Sequence, residues 1–416
     1  MLKLDDEAGA LLALAAQPGW LLAGVLGVAV LVWAMIWLLQ PLARPLGLLD
    51  HPHGDRKHHA NPTPVTGGPG IALGLLLLFA LVPLPMTQAK IAYLAGAALL
   101  VGVGVLDDLV DLRWWWRILA QVVAALLMVY LGGVRIEQIG PALGLADLAL
   151  GWLSVPFTVF ATVGLVNATN MIDGADGIAG ALIAAALLML AAAAWYAGNL
   201  GLALVTLVIM AATLGFLAHN FPLPWRRRAR VFLGNGGSAF LGYSIAWITF
   251  RLSQNAGHPV NPVLALWLFA VPVVDCLVLI VHRARQGRSP FAAGRDHIHH
   301  LMRDAGFSPA QLALVLAAAT LLAGLLVGQS MRMDVPNVVL LGLFVALCLA
   351  WGWLTACRER ACAFFACLHG RMFDRGLSSV TSAQLPAAAT AAVAPKPGAA
   401  PPQPADTRLT QHPETP

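Results

Sequence analysis

The chain has 416 residues, of which 59% are hydrophobic and only 11% are charged. A soluble domain usually carries about 25% charged residues, so this composition excludes an ordinary water-soluble globular protein. The formal net charge of +5 is only a weak sign of nucleic-acid binding, because an excess of Lys and Arg in a membrane protein usually marks its cytoplasmic loops. We therefore expect a membrane protein that has membrane lipids, and no nucleic acid, among its partners.

Apolar runs follow one another along most of the chain and predict about eleven membrane spans. The runs 20–39 and 262–280 are almost free of charge and are long enough to cross a hydrocarbon core of about 30 Å. Helices are the only open structure that satisfies its own backbone in lipid, so the predicted fold is an all-α, polytopic helical bundle. The predicted spans are residues 19–40, 67–85, 91–107, 116–132, 148–166, 177–196, 199–217, 236–251, 262–282, 310–328 and 337–356.

Lys and Arg concentrate in one set of alternate loops, which predicts a periplasmic N-terminus and a cytoplasmic C-terminus in the inner membrane. Acidic residues precede the first apolar run, so we expect no cleaved signal peptide. The Pro- and Ala-rich end of the chain predicts disorder. The predicted organisation is an N-terminal segment, a transmembrane catalytic domain, a cytoplasmic juxtamembrane segment and a disordered tail, at residues 1–18, 19–356, 357–384 and 385–416.

Five polar clusters all fall on the predicted cytoplasmic side, whereas a channel or transporter would place polar groups along a path through the membrane. The first cluster holds Asp107, Asp108 and Asp111 at the end of the third span. If this stretch is helical, the carboxylates are neighbours on one face. Bunched carboxylates repel one another unless a cation lies among them, and Mg²⁺ prefers oxygen ligands. A solvated acidic helix end is the alternative interpretation.

The second cluster alternates amides and carboxylates with glycines, and its polar members include Asn167, Asn170, Asp173 and Asp176. Glycines let the backbone approach a ligand closely. Amides and carboxylates can recognise the edge of a base or sugar, and they can hold a metal. An ordinary turn is the alternative, although a turn would be unusually rich in Asn and Asp.

Two further clusters are weaker signals when each is taken alone. The third, residues 234–238, enters the eighth span after an arginine run, and glycines at a helix N-terminus form an anion site. The fifth lies before the second span and includes Arg56 and Lys57, which suit a diphosphate, together with His59. An ordinary helix entry and an ordinary basic loop are the respective alternatives.

The fourth cluster holds Arg295, His297, His299 and His300 in a basic cytoplasmic loop. Its histidines could bind a metal or phosphates. Their spacing is also like a zinc half-site, but no cysteine or fourth ligand accompanies them. An acidic metal site beside basic residues at the lipid surface suits phosphoryl transfer from a soluble nucleotide donor to a lipid acceptor.

Taken together, the motifs resemble those of the polyprenyl-phosphate N-acetylhexosamine-1-phosphate transferases, glycosyltransferase family 4. The resemblance runs from about residue 46 to residue 307. The stretches 258–275 and 285–291 resemble the branch that loads undecaprenyl phosphate with N-acetylglucosamine 1-phosphate for O-antigen and enterobacterial common antigen. The matching motifs, in chain order, are Arg56-Lys57-x-His59, Asp107-Asp108-x-x-Asp111, Asn167-x-x-Asn170-x-x-Asp173-Gly174-x-Asp176-Gly177, residues 234–238, and His297-x-His299-His300.

The resemblance implies that the lipid phosphate attacks the sugar-bearing phosphorus of a UDP-sugar and that UMP leaves. It implies Mg²⁺ or Mn²⁺ as cofactor, and it leaves homo-oligomerisation and the identity of the acetamido sugar open. Asp107 or Asp108 would deprotonate or position the lipid phosphate, and Asp173 and Asp176 would bind nucleotide and metal. The residues implied to bind substrate are Lys57, His59, Asn167, Asn170, Arg295, His297, His299 and His300.

The catalytic set implied by the resemblance comprises five aspartates, and the metal set adds one asparagine. The family usually has Asp at the position of Asn235. An amide oxygen can still ligate Mg²⁺, but one negative charge is missing. The catalytic candidates are Asp107, Asp108, Asp111, Asp173 and Asp176, and the metal candidates are Asp107, Asp108, Asp173 and Asn235.

Two rival functions come from other classes. A transporter or flippase of lipid-linked sugars would need polar groups deep within several spans and on both faces, whereas the predicted spans are apolar. A non-catalytic assembly partner would be favoured if Asn235 marked an inactive enzyme, but the other four motifs are intact.

Overall fold

The structure is a computed structural model, and it describes residues 17–50, 62–82, 86–140, 148–254, 260, 262–289 and 294–373. The chain divides into two compact units, residues 1–370 and 371–416. Of the second unit, the structure describes only residues 371–373, which end a helix. The architecture below is therefore that of the first unit.

Helices make up most of the described chain. A small antiparallel sheet pairs β1 (Leu49–Asp50) with β2 (Thr63–Pro64). Two short 3-10 turns span Gln40–Leu42 and Gly151–Leu153. The helices in chain order are α1 (Pro18–Leu39), α2 (Gly67–Leu81), α3 (Gln88–Val110), α4 (Trp114–Tyr130), α5 (Ser154–Ile172), α6 (Ile178–Tyr196), α7 (Leu200–Asn220), α8 (Gly234–Ser253), α9 (Pro262–Leu268), α10 (Ala270–Arg285), α11 (Ile298–Asp304), α12 (Pro309–Arg332), α13 (Asn337–Thr355) and α14 (Arg358–Phe373).

Seven of the described helices are long and apolar enough to cross a membrane, and the bent pair α9 and α10 raises that number to eight. Helices α2 and α4 are apolar but hold only 15 and 17 residues. The predicted polytopic helical membrane protein is therefore confirmed. Ten of the eleven predicted spans overlap one of these helices or the bent pair, and the span predicted at 236–251 overlaps α8. By length and composition alone, seven or eight of them qualify as crossings.

The span predicted at 262–282 is two helices, α9 and α10, which meet at 93°. The break lies at Phe269, whose φ of −131° and ψ of 32° are not helical. Pro272 explains it, because proline has no backbone N–H and its ring clashes with the carbonyl of Leu268, four residues earlier. After the break, the second turn of α10 carries Asp275.

Helix α8 lies at the centre of the bundle, where it packs against α3 and α5, and 15 of its 20 residues are buried. Its approach to α3 is very close, because a Cβ on Gly104 would collide with the backbone of Gly236. Small residues at a helix contact allow this approach in a membrane bundle. The contact brings Asp107 and Asp108, at the end of α3, beside the first turn of α8.

Hydrogen bonds between loops join members of the same alternate set. On one side of the bundle, the N–H of Phe232 donates to the carbonyl of Pro64 at 2.8 Å. On the other side, the N–H of Glu137 donates to Oε1 of Gln254 at 2.7 Å. Both pairs agree with the loop sets that the Lys and Arg distribution defines, and which side is cytoplasmic stays a prediction.

Candidate active site

A single amide bridges the two aspartates at the end of α3. Nδ2 of Asn235 donates to Oδ2 of Asp107 at 2.7 Å and to Oδ1 of Asp108 at 2.9 Å. The backbone N–H of Asn235 also donates to the Asp108 carboxylate, at 3.2 and 3.1 Å from its two oxygens. Oδ1 of Asn235 accepts from Nδ2 of Asn170 at 2.9 Å. Three motifs that are distant in sequence are thereby joined in one network.

Asp107 is the better compensated of these two carboxylates. Its Oδ1 accepts from the N–H of Leu112 at 2.9 Å, and its Oδ2 lies 3.2 Å from Nη1 of Arg117. A buried charge is stable only when it is paired and hydrogen-bonded, and Asp107 is 5% exposed. Arg117, one of the arginines on the predicted cytoplasmic side, therefore belongs to the site.

Asp173, directly after α5, lacks the hydrogen bonds and the ion pair that compensate the charge of Asp107. Within the described residues, no donor forms a hydrogen bond to its carboxylate. Burial, and then the neighbouring charges of Asp108 and Asp176, raise the pKa of Asp173 to about 7. A partly buried carboxylate among other carboxylates is stabilised by a bound cation or by a proton.

These residues fit a divalent metal ion by their chemistry. Mg²⁺ takes hard oxygen ligands, and it usually combines one or two carboxylates with substrate phosphates. In the described part of the chain, no group of three or more His, Cys, Asp or Glu side chains is arranged to hold a metal. The protein would thus supply part of a coordination sphere. For Asn235 to be a ligand its carboxamide must turn over, because its nitrogen now faces the aspartates.

Asp111 and Asp176 lie close to this network but have other contacts. Asp111 is exposed and caps α3 with a left-handed φ of 50°, so it does not continue the helical face of Asp107. Oδ2 of Asp176 accepts from the N–H of Ala229 at 2.8 Å, which holds the arginine-rich loop between α7 and α8. Their catalytic roles stay predictions.

The three motif histidines lie close together at the start of α11, and the rings of His297 and His299 are stacked. The ring centroids of His297 and His299 are 5.6 Å apart, and those of His299 and His300 are 4.2 Å apart. Burial, and then nearby positive charges, lower the pKa of His299 well below its usual range and that of His300 to about 4. Both rings are therefore neutral near pH 7, and a neutral imidazole can offer a ligand one donor and one acceptor nitrogen.

His299 is the most enclosed of the three, at 2% exposed. Its Nε2 lies against Gly174, where a Cβ would collide with the ring. Its Nδ1 is buried and has no hydrogen-bond partner among the residues that the structure describes. An orphaned buried nitrogen in a cavity wall is a sign of a polar ligand.

His297 is held from behind by a carboxylate that the sequence reading did not select. Its Nδ1 lies 2.9 Å from Oδ2 of Asp275 in α10. Oδ1 of Asp275 accepts from the N–H of Ile298 at 3.1 Å. The signal was present in the sequence, because a carboxylate inside an apolar span is rarely accidental.

One cavity of about 500 Å³ brings the polar groups together. It also has an apolar side, which reaches Phe160 on α5, a residue that is 66% exposed on the outer face of the bundle. Asp107 and Asp108 lie behind Asn235 rather than in the wall itself. The predicted site residues in the wall are Asn167, Asn170, Asp173, Asn235, His297, His299 and His300.

Among the described residues predicted to bind substrate, Arg295 is not in this wall. Arg295 is exposed, and its Nη2 lies 3.4 Å from Oδ1 of Asp304. Lys57 and His59 lie outside the described residues.

Comparison with known proteins identifies the family. Residues 90–253 match the family model described as Glycosyl transferase family 4. A protein of Escherichia coli O157:H7 named undecaprenyl-phosphate alpha-N-acetylglucosaminyl 1-phosphate transferase is 34% identical over 327 residues, which cover 78% of this chain and 88% of that protein. The chain belongs to glycosyl transferase family 4.

Other members of glycosyl transferase family 4 with the same name show a similar likeness. The protein of Yersinia pestis is 34% identical over 330 residues, which are 79% of this chain and 88% of that protein. The protein of Haemophilus influenzae is 33% identical over 279 residues, which are 67% of this chain and 78% of that protein. The resemblance inferred from the sequence motifs is thus confirmed.

Gln121 is a further site residue of this family 4 chain that the sequence reading missed. Its Oε1 accepts from Nδ2 of Asn167 at 2.7 Å, and both side chains line the cavity. Gln121 is 6% exposed on α4, within a predicted span. Like Asp275, it could have been found as a polar side chain inside an apolar run.

Proposed function

We propose that the chain transfers N-acetylglucosamine 1-phosphate from UDP-N-acetylglucosamine to undecaprenyl phosphate and releases UMP. The observation that carries the proposal is the cavity in which Asp173, the motif amides and the histidines meet an apolar wall. Such a cavity suits a polar nucleotide donor and a lipid acceptor together. The names of the relatives state the same lipid and the same sugar phosphate.

The reaction is a substitution at the sugar-bearing phosphorus of the donor. An oxygen of the lipid phosphate forms a new bond to this phosphorus, and the bond from phosphorus to the bridging oxygen breaks. UMP leaves with that oxygen and the electron pair of the broken bond. Because the lipid phosphate is already an anion, the site must mainly align the reactants and neutralise charge.

A bound Mg²⁺ or Mn²⁺ would supply charge neutralisation at the diphosphate. Asp173, together with Asp107 or Asp108, would hold the ion, and Asp173 is the strongest candidate because its charge has no described hydrogen-bond donor. Asn167 and Asn170 would bind the nucleotide sugar. Arg117, which lines the cavity beside its contact with Asp107, would bind the lipid phosphate.

We place the cavity at the cytoplasmic face of the inner membrane, with eleven crossings, a periplasmic N-terminus and a cytoplasmic C-terminus. The asymmetry of Lys and Arg supports this orientation. The loop contacts support the alternation of the loops. The product would enter O-antigen or a related cell-envelope polysaccharide, as the resemblance of residues 258–275 and 285–291 implies.

A donor panel tests the proposed substrates. Purified protein in lipid would receive undecaprenyl phosphate, Mg²⁺ and, in separate reactions, UDP-N-acetylglucosamine, UDP-N-acetylgalactosamine or UDP-glucose. We expect UMP and a lipid-linked N-acetylglucosamine diphosphate in equal amounts with the first donor, and no product with UDP-glucose. Movement of a lipid-linked sugar across liposomes without UMP release would favour the flippase instead.

A further inference from the structure

A buried carboxylate forms a pair with one of the three motif histidines, whose imidazole is also buried. The side chains of Asp275 and His297 are 6% and 9% exposed, and Oδ2 of Asp275 lies 2.9 Å from Nδ1 of His297. Of Asp275 and His297, only His297 lines the cavity, so its ring lies between the carboxylate and the space for a ligand. Asp275 thus lies behind His297 and not in the cavity wall.

Both oxygens of Asp275 are engaged by the same short segment. Oδ2 contacts the ring of His297, and Oδ1 accepts from the backbone N–H of Ile298 at 3.1 Å. A carboxylate that accepts from two successive residues fixes the entry of the chain into α11 as well as the orientation of the ring. The break between α9 and α10 sets the direction of α10, and this direction brings Asp275 to the histidine loop.

The hydrogen bond at one ring nitrogen determines what the other nitrogen can do. Because a carboxylate can only accept, Nδ1 of His297 must carry its proton. Nε2 is then the nitrogen left for a ligand in the cavity. Groups that orient a functional histidine in this way commonly change affinity or activity by about 10- to 100-fold when they are removed.

We propose that Asp275 is a positioning residue, which sets the ring orientation and tautomer of His297 so that Nε2 is presented to the diphosphate of the donor. The identity of the donor rests on the proposed function. The pairing of Asp275 with His297 and the direction of Nε2 do not depend on the proposed function.

The isosteric variant Asp275→Asn separates orientation from packing. An amide can accept at only one of its two terminal atoms, so it cannot serve both His297 Nδ1–H and Ile298 N–H. If the amide oxygen still accepts from the N–H of Ile298, the amide NH₂ group faces Nδ1 of His297. Nδ1 must then accept a hydrogen bond, which favours the tautomer with its proton on Nε2. We expect the Kd and the KM for UDP-N-acetylglucosamine to rise about 10-fold or more, while the KM for undecaprenyl phosphate changes less than about twofold.

A double-mutant cycle provides the decisive reading. Kd for radiolabelled UDP-N-acetylglucosamine would be measured by equilibrium dialysis, without lipid acceptor, for the wild type, Asp275→Asn, His297→Gln and the double variant. In the His297→Gln background, Asp275→Asn should weaken binding by less than about threefold. Losses that multiply in the double variant would overturn the proposal, since Asp275 would then act independently of His297.

Two further variants keep the test interpretable. Asp275→Glu retains both acceptor oxygens but moves them by one methylene, and its loss of affinity should also disappear in the His297→Gln background. Asp296→Asn is the matched control, because Asp296 precedes His297 directly but its half-exposed side chain lies 3.9 Å from Arg358. Its Kd should stay within about twofold of the wild type, and an equal loss in this variant would contradict the proposal.

The design also separates this inference from the proposed function. A wild type that binds the nucleotide sugar but forms no lipid product would overturn the proposed function, and the cycle in Kd would still decide on Asp275. A wild type with turnover, combined with multiplying losses in the cycle, would overturn only the role of Asp275.

Discussion

Nδ2 of Asn235 lies 2.7 Å from Oδ2 of Asp107, so the asparagine meets this aspartate as a hydrogen-bond donor. The same nitrogen donates to Asp108 at 2.9 Å. Where the family resemblance implies a third carboxylate, this chain has a neutral amide that donates to two carboxylates. A donor at this position offsets part of the repulsion between the two carboxylates.

Asn235→Asp should make the stability of the protein depend on Mg²⁺. The substitution replaces two N–H donors by a carboxylate, and three carboxylates then repel one another unless a cation lies among them. We expect a lower Tm than that of the wild type in excess chelator, with recovery in Mg²⁺. The Mg²⁺ concentration for half-maximal turnover should fall.

The matched variant Asn235→Ala removes the donors without adding charge. Hydrogen bonds to charged groups contribute about 1.5–3 kcal/mol each, so its Tm should fall whether Mg²⁺ is present or not. Thermal unfolding and Mg²⁺ titrations of the three proteins in the same lipid provide the comparison. Three superimposable Mg²⁺ titration curves would show that residue 235 is not near the ion.

Asp173→Asn and Asp108→Asn should each reduce turnover by about 100-fold or more, because each substitution removes a negative charge that would hold the cation or orient the reacting phosphates. Both variants should remain folded in membranes. Asp334→Asn is the control, since Asp334 lies in the turn between α12 and α13 with a φ of 50° that asparagine also tolerates. Near-normal turnover of either site variant would remove that residue from the catalytic set.

Gly174→Ala should damage the site through His299. A Cβ at residue 174 collides with the imidazole, which is enclosed and has little room to move. We expect at least about a 10-fold loss of turnover, by analogy with other displaced active-site groups. Gly102→Ala, where a Cβ meets nothing within 4 Å, should keep full activity. Equal activity of the two variants would mean that the position of His299 does not matter.

The orientation of the chain can be tested with single cysteines in a cysteine-free background. Leu109 is 41% exposed at the end of α3, and Met333 is 66% exposed in the turn after α12. Leu109→Cys should react with an impermeant thiol reagent only from the cytoplasm, and Met333→Cys only from the periplasm. The reverse pattern would overturn the predicted topology. His297 is 7% exposed and is a poorer probe.

The sequence predicted the helical elements well because lipid imposes one dominant constraint, an apolar helix of sufficient length. It did not predict the break at Phe269, although Pro272 was a visible signal, because the apolar run continues through both residues. Hydropathy alone cannot detect a missing backbone donor. The number of crossings is likewise harder to predict, since α2 and α4 are short.

The candidate site, like the fold, was predicted from the sequence only in part. The motifs predicted that Asp173, Asn235 and His297 belong together, and the structure places them around one cavity. They could not predict which end of the Asn235 amide faces Asp107, since this depends on the close approach of two helices at Gly104. The motifs do not include Asp275, and hydropathy did not reveal it, because the apolar residues around this one carboxylate dominate the average over the predicted span.

The most direct test of the central claim is a reaction of the purified protein with UDP-N-acetylglucosamine, undecaprenyl phosphate and Mg²⁺, in which UMP and the lipid product are measured together. We predict stoichiometric UMP and lipid-linked N-acetylglucosamine diphosphate from the wild type, no UMP without the lipid phosphate, and almost none in excess chelator or from Asp173→Asn. Full turnover in chelator, or UMP release that does not need the lipid phosphate, would contradict the account.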